Sequence, residues 1–474
     1  MHTIDSLIGG KPRTNGQLLP VQNPWNDAIV AHVREATAGD VEEALHTGAQ
    51  HESNARKLSA FERRRILEKT RALLEVHAEE LAALIQAEAG KPIALARGEV
   101  RRAQDTFAFA AMEVGREGEL LDLSRSEFAA QRWGLIRRFP LGLVSAITPF
   151  NFPLNLVAHK LAPAIAAGCP IVIKPSPLAP LSAFRLAELV IEAGLPPEFI
   201  SVLLPSVQDL GPLVHDSRVK VMTFTGSAEV GWRLKAQAVR QKVALELGGN
   251  AAVIVAADAE VDRSVKAVAT GAYAYAGQSC ISVQRVFVHE DLAPAFTKQL
   301  LAYVQAHVKA GDPGDADTLC GPVINDAAAV RLARWQAEAL ASGSEVLAGG
   351  TQIGRLLQPT VLRNVATAQP LWQEEAFGPV LALTTFREWD DVLARVNASR
   401  FGLQVGVFTE NLPAIWRAFE TLNVGALIHN DVPTTRYDQM PYGGINDSGV
   451  GREGPRYAME EYTEPRMLAL RPQF

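Results

Sequence analysis

Gly142-Leu-Val-Ser-Ala-Ile-Thr148, Ile171-Val-Ile173 and Ser201-Val-Leu-Leu204 decide the fold. Each run is short, apolar and partly β-branched. Stretches of helical character, 154–167 and 181–193, separate them. Strands alternating with helices at this interval predict parallel βαβ units. A second alternating region starts near Ala251-Ala-Val-Ile-Val-Ala256 and continues to about residue 430. Upstream, residues 39–115 predict helices. Leu67, Leu73, Leu74, Leu81, Leu84 and Ile85 recur at helical spacing, with Arg and Glu between them. Arg132-Trp-Gly-Leu-Ile-Arg-Arg138 predicts an exposed hairpin arm. Arg466-Met-Leu-Ala-Leu-Arg471 predicts a terminal strand, whose free edge suits burial in another subunit. Periodicity alone gives a multidomain α/β protein.

A chain of 474 residues is too long for one core and predicts two or three domains. Hydrophobic content of 48% with 21% charged residues is ordinary for a globular protein. A formal net charge of -6 gives no support for nucleic acid or a membrane surface as partner. The most apolar runs, 161–173 and 251–257, are broken by Pro or too short to span a bilayer. The start, Met-His-Thr-Ile-Asp, lacks the basic and apolar stretches of a signal peptide. Three cysteines, Cys169, Cys280 and Cys320, make no disulfide framework and suit a reducing cytoplasm. No Cys or His spacing predicts a metal site.

Three motifs carry the chemistry. Asn151 sits in Pro149-Phe-Asn-Phe-Pro153, Glu246 in Leu245-Glu-Leu-Gly-Gly-Asn250, and Cys280 ends Tyr275-Ala-Gly-Gln-Ser-Cys280. An amide, a carboxylate and a thiol are the parts needed to hold an oxyanion, activate water and attack a carbonyl. No G-x-G-x-x-G fingerprint follows an early strand. Phe224-Thr-Gly-Ser-Ala-Glu-Val-Gly231 offers instead a Gly226-Ser227 helix start, which suits a phosphate or simply a capped helix.

Further landmarks are Asn23-Pro24, Lys174-Pro175-Ser176, Glu375-Ala-Phe-Gly-Pro379, Pro441-Tyr-Gly-Gly444 and Tyr462-Thr-Glu464. In this order and wording the chain resembles the aldehyde dehydrogenase superfamily over essentially its full length. Gln278-Ser-Cys-Ile-Ser-Val-Gln-Arg285 looks like the lactaldehyde, glyceraldehyde and phosphonoacetaldehyde branch. The resemblance implies a Rossmann-like cofactor domain (1–117 and 140–246), an α/β catalytic domain (247–452) and a small β oligomerisation arm (118–139 and 453–474). It implies a homodimer or homotetramer, a small-molecule aldehyde substrate, and NAD or NADP as cofactor.

By the same resemblance, Thr148, Pro149, Phe150, Lys174, Ser176, Gly226, Ser227, Gly248, Glu375 and Phe377 surround the dinucleotide. Its phosphates lie at Gly226 and Ser227, the adenosine ribose at Lys174 and the nicotinamide ribose at Glu375, with Phe377 near the ring. Read without the resemblance, Lys174 is a solvated loop cation. One departure concerns specificity. NAD-preferring relatives often carry Glu three residues after this Lys, whereas residue 177 is Pro, which removes an obstacle to the NADP 2′-phosphate.

The implied chemistry starts with attack of Cys280 on the aldehyde. Asn151 and the Cys280 N–H hold the oxyanion, hydride departs to the cofactor, and a thioester remains for Glu246 to hydrolyse with water. Relatives that acylate coenzyme A generally lack this Glu, so Glu246 favours a free acid over a CoA-acylating semialdehyde dehydrogenase. A catalytically silent relative need not keep all three residues. Cys169 and Cys320 read as buried hydrophobes. Glu453, in Gly-Arg-Glu-Gly, matches a position implied in proton relay; otherwise it is a surface carboxylate. Arg436 lies where the family lines the aldehyde tunnel and suits an anionic substrate group. Its other reading is a solvated side chain, or a partner of Asp431 or Asp438. Arg97, Arg101 and Arg102 are candidates for a second cation.

Overall fold

The three opening runs form the strands Leu143–Ile147, Ile171–Lys174 and Ile200–Val202. They come from a computed structural model that describes residues 3–116, 118–125, 128 and 132–471. With Val219–Thr225 and Lys242–Glu246 they make five parallel strands at the centre of an eight-stranded sheet. Antiparallel edges are added by Ser6–Ile8 with Lys11–Arg13 on one side and Gly449–Val450 on the other. Leu143–Ile147 pairs with both Ile171–Lys174 and Val219–Thr225. The chain therefore builds outward from this strand in one direction and later in the other. Such a switch leaves a crevice at the strands' carboxyl ends.

The helices cover this sheet. Asn155–Ala167 is buried along its whole length, as its near-continuous apolar sequence requires. Ala60–Val76, Ala78–Ala89 and Ile93–Glu113 realise the predicted helical region. Capping boxes start two helices there, Thr37 with Asp40 and Ser59 with Glu62.

The second alternating region forms a seven-stranded sheet with its own apolar core. Its order is Glu345–Ala348, Thr360–Arg363, Val380–Phe386, Val283–His289, Ala251–Val255, Gln404–Phe408 and Ala426–His429. All pairings are parallel except that of Glu345–Ala348. The chain passes from one sheet to the other between Glu246 and Ala251.

The arm is a three-stranded sheet in which Trp133–Pro140 lies between Glu119–Asp122 and Thr463–Leu470. The terminal strand thus starts at Thr463, three residues before the sequence expectation. Gly449–Val450 pairs with Lys242–Glu246 of the first sheet, and the helix Pro455–Tyr462 packs on Ile93–Glu113 and Asn155–Ala167. The chain therefore returns to the first core before entering the arm. A short sheet of Thr3–Ile4, Ile29–Arg34 and Leu18–Gln22, not foreseen from the sequence, lies at the start.

Candidate active site

Cys280 is presented by a turn that L-residues resist. After the helix Val261–Tyr273, Tyr275 and Ala276 adopt left-handed backbones (φ 53 for both), and Gly277 follows at φ 67. Left-handed geometry costs about 1–2 kcal/mol for an ordinary residue, so the turn must be held from outside. Gln278 holds it. Its Nε2 donates to the Tyr275 and Pro322 carbonyls (3.3 and 3.2 Å), and its Oε1 accepts the Ile324 N–H at 2.8 Å. A Cβ on Gly277 would lie 2.3 Å from the Gly378 oxygen, so only glycine fits.

The Cys280 Sγ reaches a cavity of about 1100 Å³, 2.9 Å from the Tyr442 hydroxyl. Burial pushes the thiol up to about 12, with the Tyr442 hydrogen bond opposing it. Cys169 and Cys320 are instead core residues, as expected. The backbone N–H of Cys280 donates to no acceptor among the described residues.

Asn151 and Glu246 come from the other domain, just beyond the strand Leu143–Ile147 and at the end of Lys242–Glu246. The Asn151 Nδ2 donates one hydrogen to the Gln278 carbonyl at 3.0 Å and keeps a second N–H. Both Glu246 carboxyl oxygens are buried without a hydrogen-bond partner among the described residues. Burial, then repulsion from Glu453, raises this carboxyl well above the ordinary range, against the pull of Arg436, Lys160 and Arg452. A Cβ on Gly443 would sit 2.9 Å from the Glu246 Oε1, so glycine lets the loop approach.

Around Glu246 runs a buried ionic network. Lys160 projects from the buried helix Asn155–Ala167, with its Nζ 2.9 Å from the Glu453 Oε1 and donating to the Thr223 hydroxyl at 2.9 Å. The second Glu453 oxygen accepts from the Arg436 Nη2 at 3.1 Å. The Arg436 guanidinium lies 3.6 Å from the centre of the Tyr442 ring. Burial works against ionised Glu453, but Lys160 and Arg436 outweigh it and hold the carboxyl below its ordinary range. Glu453 is therefore no surface carboxylate.

Arg436 is neither solvated nor paired with Asp431 or Asp438. It pairs with Glu453, lines the cavity, and keeps its Nε without a partner among the described residues. Asp438 is taken by Arg102 (2.8 and 3.1 Å), His159 (2.8 Å) and Asn155 (3.2 Å). Arg97 pairs with Glu79 on the surface. Arg101 lines the cavity and is exposed.

Sequence reasoning gave Lys160 and Tyr442 no role. Tyr442 carried a signal, its place within Pro441-Tyr-Gly-Gly444, whereas Lys160 follows His159 with nothing local to mark it.

The cavity extends over the switch point of the first sheet. Pro149, Phe150, Gly226, Ser227, Gly248, Glu375 and Phe377 line it. The helix Ala228–Gln237 opens there, and Ser227 makes no side-chain capping bond, so hydroxyl and first-turn amides stay available. Glu375 accepts the Gly249 N–H at 3.1 Å, and burial pushes it up to about 7. Phe377, left-handed at φ 48, sets its ring edge-on to Phe150 at 5.9 Å.

Thr148, Lys174 and Ser176 do not line this cavity. They sit beside it, at the strands' carboxyl ends. The Ser176 hydroxyl accepts the Leu178 N–H at 3.2 Å within its own turn. The Thr148 Oγ1 is buried without a partner among the described residues, and burial pulls Lys174 down to about 8. Free amides, an orphaned hydroxyl and a desolvated cation make a donor-rich lining that suits phosphate and ribose oxygens, so these residues fit a dinucleotide.

Residues 11–468 match the profile of the aldehyde dehydrogenase family. The chain is 39% identical to a 3-sulfolactaldehyde dehydrogenase of Priestia aryabhattai over 465 residues, 98% of this chain and 97% of the relative. Its fold superposes on aldehyde dehydrogenase 21 of Physcomitrella patens, solved with the product succinate. The TM-score is 0.97, at 39% identity over 99% of this chain and 98% of the other. A glyceraldehyde-3-phosphate dehydrogenase of Methanocaldococcus jannaschii, solved with NADP, gives a TM-score of 0.93. It is 33% identical, over 97% of this chain and 100% of the other.

Proposed function

The chain belongs to the aldehyde dehydrogenase family and oxidises a small polar or anionic aldehyde to its acid with NAD(P); from that premise we propose which residues act and which aldehydes fit. Cys280 gives up its thiol proton to water, attacks the carbonyl carbon as the thiolate and forms a thiohemiacetal. The free Asn151 N–H and the Cys280 backbone N–H hold the oxyanion. The dinucleotide, when bound along the donor-rich lining of the switch point, supplies the hydride acceptor. Cys280 carries the thioester that remains, and Glu246 takes the proton of the water that hydrolyses it.

A carboxyl raised above its usual range is a stronger base once ionised. Burial supplies the larger part of that tuning, and we assign a further part to Glu453. Both of its oxygens are occupied by cations, so it contributes fixed charge beside Glu246 rather than carrying protons itself.

The substrate carries a negative charge at its far end. The observation behind this reading is Arg436, buried beside Cys280 with an unused Nε–H. Arg101 stands as a second cation on the same cavity. The relatives' names agree, since sulfolactaldehyde and succinate are both anionic. Steady-state rates with sulfoacetaldehyde and succinic semialdehyde, against neutral aldehydes of equal length, test it. An advantage in kcat/KM of at least ~10-fold is expected, worth about 1.4 kcal/mol. Equal values for charged and neutral substrates would defeat it.

We further infer a homodimer or homotetramer assembled through the arm. Its terminal strand exposes Met467, Leu468 and Leu470 along an unpaired edge. Three free cysteines suit a cytoplasmic, reducing setting. Among the described residues no helix is long and apolar enough to cross a membrane.

A further inference from the structure

Lys91 and Glu99 form an ion pair sealed from solvent, with side chains 1% and 0% exposed. It borders the cavity yet belongs to none of the steps above. One Glu99 oxygen takes the ammonium. The other accepts the backbone N–H groups of Leu154 and Asn155 at 2.9 and 3.1 Å, which fixes the loop just after Asn151. The Lys91 Nζ lies 3.7 Å from the ring centre of Phe152, the residue next to Asn151. It also lies 4.7 Å from that of Tyr275, the first left-handed residue of the turn that presents Cys280. The Tyr275 hydroxyl donates to the Ala89 carbonyl at 2.9 Å, two residues before Lys91. One desolvated ammonium thus touches the neighbours of both reacting groups, which come from different domains. A buried ion pair adds little stability over apolar packing, so this pair is better explained by the geometry it enforces.

We propose that Lys91, held by Glu99, is a positioning residue that fixes the Asn151 amide relative to the Cys280 thiol; this rests on the roles given above to those two. An uncharged side chain of equal length would leave Glu99 without its counter-charge and release both rings. Binding of dinucleotide and aldehyde would change little, because neither needs that register. Formation of the thiohemiacetal would suffer, since misplacement of reacting groups by about 1 Å costs ~10²-fold.

The test compares Lys91→Met, Lys91→Arg, Phe152→Leu, Asn151→Ala and the Lys91→Met/Asn151→Ala double variant by rapid mixing. The readout is the burst of reduced dinucleotide. Lys91→Met should slow the burst ~10²-fold, with dinucleotide Kd and aldehyde KM within about three-fold of wild type. Lys91→Arg, which keeps the cation, should recover most of the rate. Phe152→Leu leaves the ion pair intact and should slow the burst about ten-fold. In the double variant the two losses should fall well short of multiplying, because the clamp acts through the amide. A normal burst in folded Lys91→Met, or losses that multiply in full, overturns the clamp. If Lys91→Met does not fold, Phe152→Leu decides alone, and an unchanged burst there overturns it. An unchanged burst in Asn151→Ala would instead overturn the oxyanion assignment, and the clamp with it.

Discussion

Cys280, Glu246 and Arg436 each make a distinct kinetic demand. Cys280→Ala should abolish turnover while dinucleotide binding, read by fluorescence titration, persists; Cys169→Ala and Cys320→Ala should keep turnover. Substantial aldehyde oxidation by the first variant would remove the covalent route. Glu246→Gln should still release about one reduced dinucleotide per site, then turn over ~10²–10⁴-fold more slowly. Loss of the burst as well would place Glu246 earlier in the reaction. The raised Glu246 carboxyl also sets a pH dependence. Only its ionised form accepts a proton, so hydrolysis should accelerate as pH rises through that raised value. Glu453→Gln removes repulsion and leaves Lys160 and Arg436 beside Glu246, so this limb should move to lower pH. Single-turnover hydrolysis against pH reads the shift, and a limb that stays in place would show that Glu453 does not tune Glu246. Arg436→Ala should raise KM steeply for anionic aldehydes and little for neutral ones, with kcat falling less. Cys280, Glu246 and Asn151 were legible because each sits in a distinctive run of neighbours. Lys160 was not, since its partner Glu453 is 293 residues away, and no local pattern announces such a pair.

At the scale of elements, the left-handed turn before Cys280 and the strand end at Lys174 are the decisive pieces. Gly277→Ala meets both a positive φ and a backbone oxygen, so it should cost more than about 1–2 kcal/mol and show as a lower Tm. An unchanged Tm would mean that the turn relaxes freely. The exposed Pro177 follows the strand Ile171–Lys174. With no acidic residue there, NADP turnover should be measurable, and Pro177→Glu should depress it relative to NAD by ~10-fold through charge repulsion. Wild-type use of NAD alone would sink this expectation. The central parallel strands were readable as dense apolar runs, because they are buried on both faces. The initial strands were not. Ser6–Ile8 and Thr3–Ile4 are too short to show a period, and in Ile29–Arg34 only Ala31 and Val33 are fully buried.

The whole molecule should associate in solution. Light scattering is expected to give a dimer or tetramer at micromolar concentration, and Leu468→Lys on the exposed edge should shift it toward monomer. A monomeric wild type would overturn the role given to the arm. The two-sheet plan followed from the alternating runs, but the way the halves join did not, because the joining contacts are single residues. Ser448 is one of them. Its hydroxyl donates to the Gly248 carbonyl at 2.7 Å and accepts the Gly402 N–H at 3.0 Å, while its carbonyl accepts the Leu247 N–H at 3.0 Å. One half contributes Asn151 and Glu246, the other Cys280, Glu375 and Arg436, and each half holds the other's groups in register. Such a protein does not recombine like a modular one. A chimera that borrows one half from a relative can keep two sound cores and still lose its chemistry, unless the crossover carries the whole join, from Leu245 to Ala251 and from Ile445 to Val450, as a single heritable block.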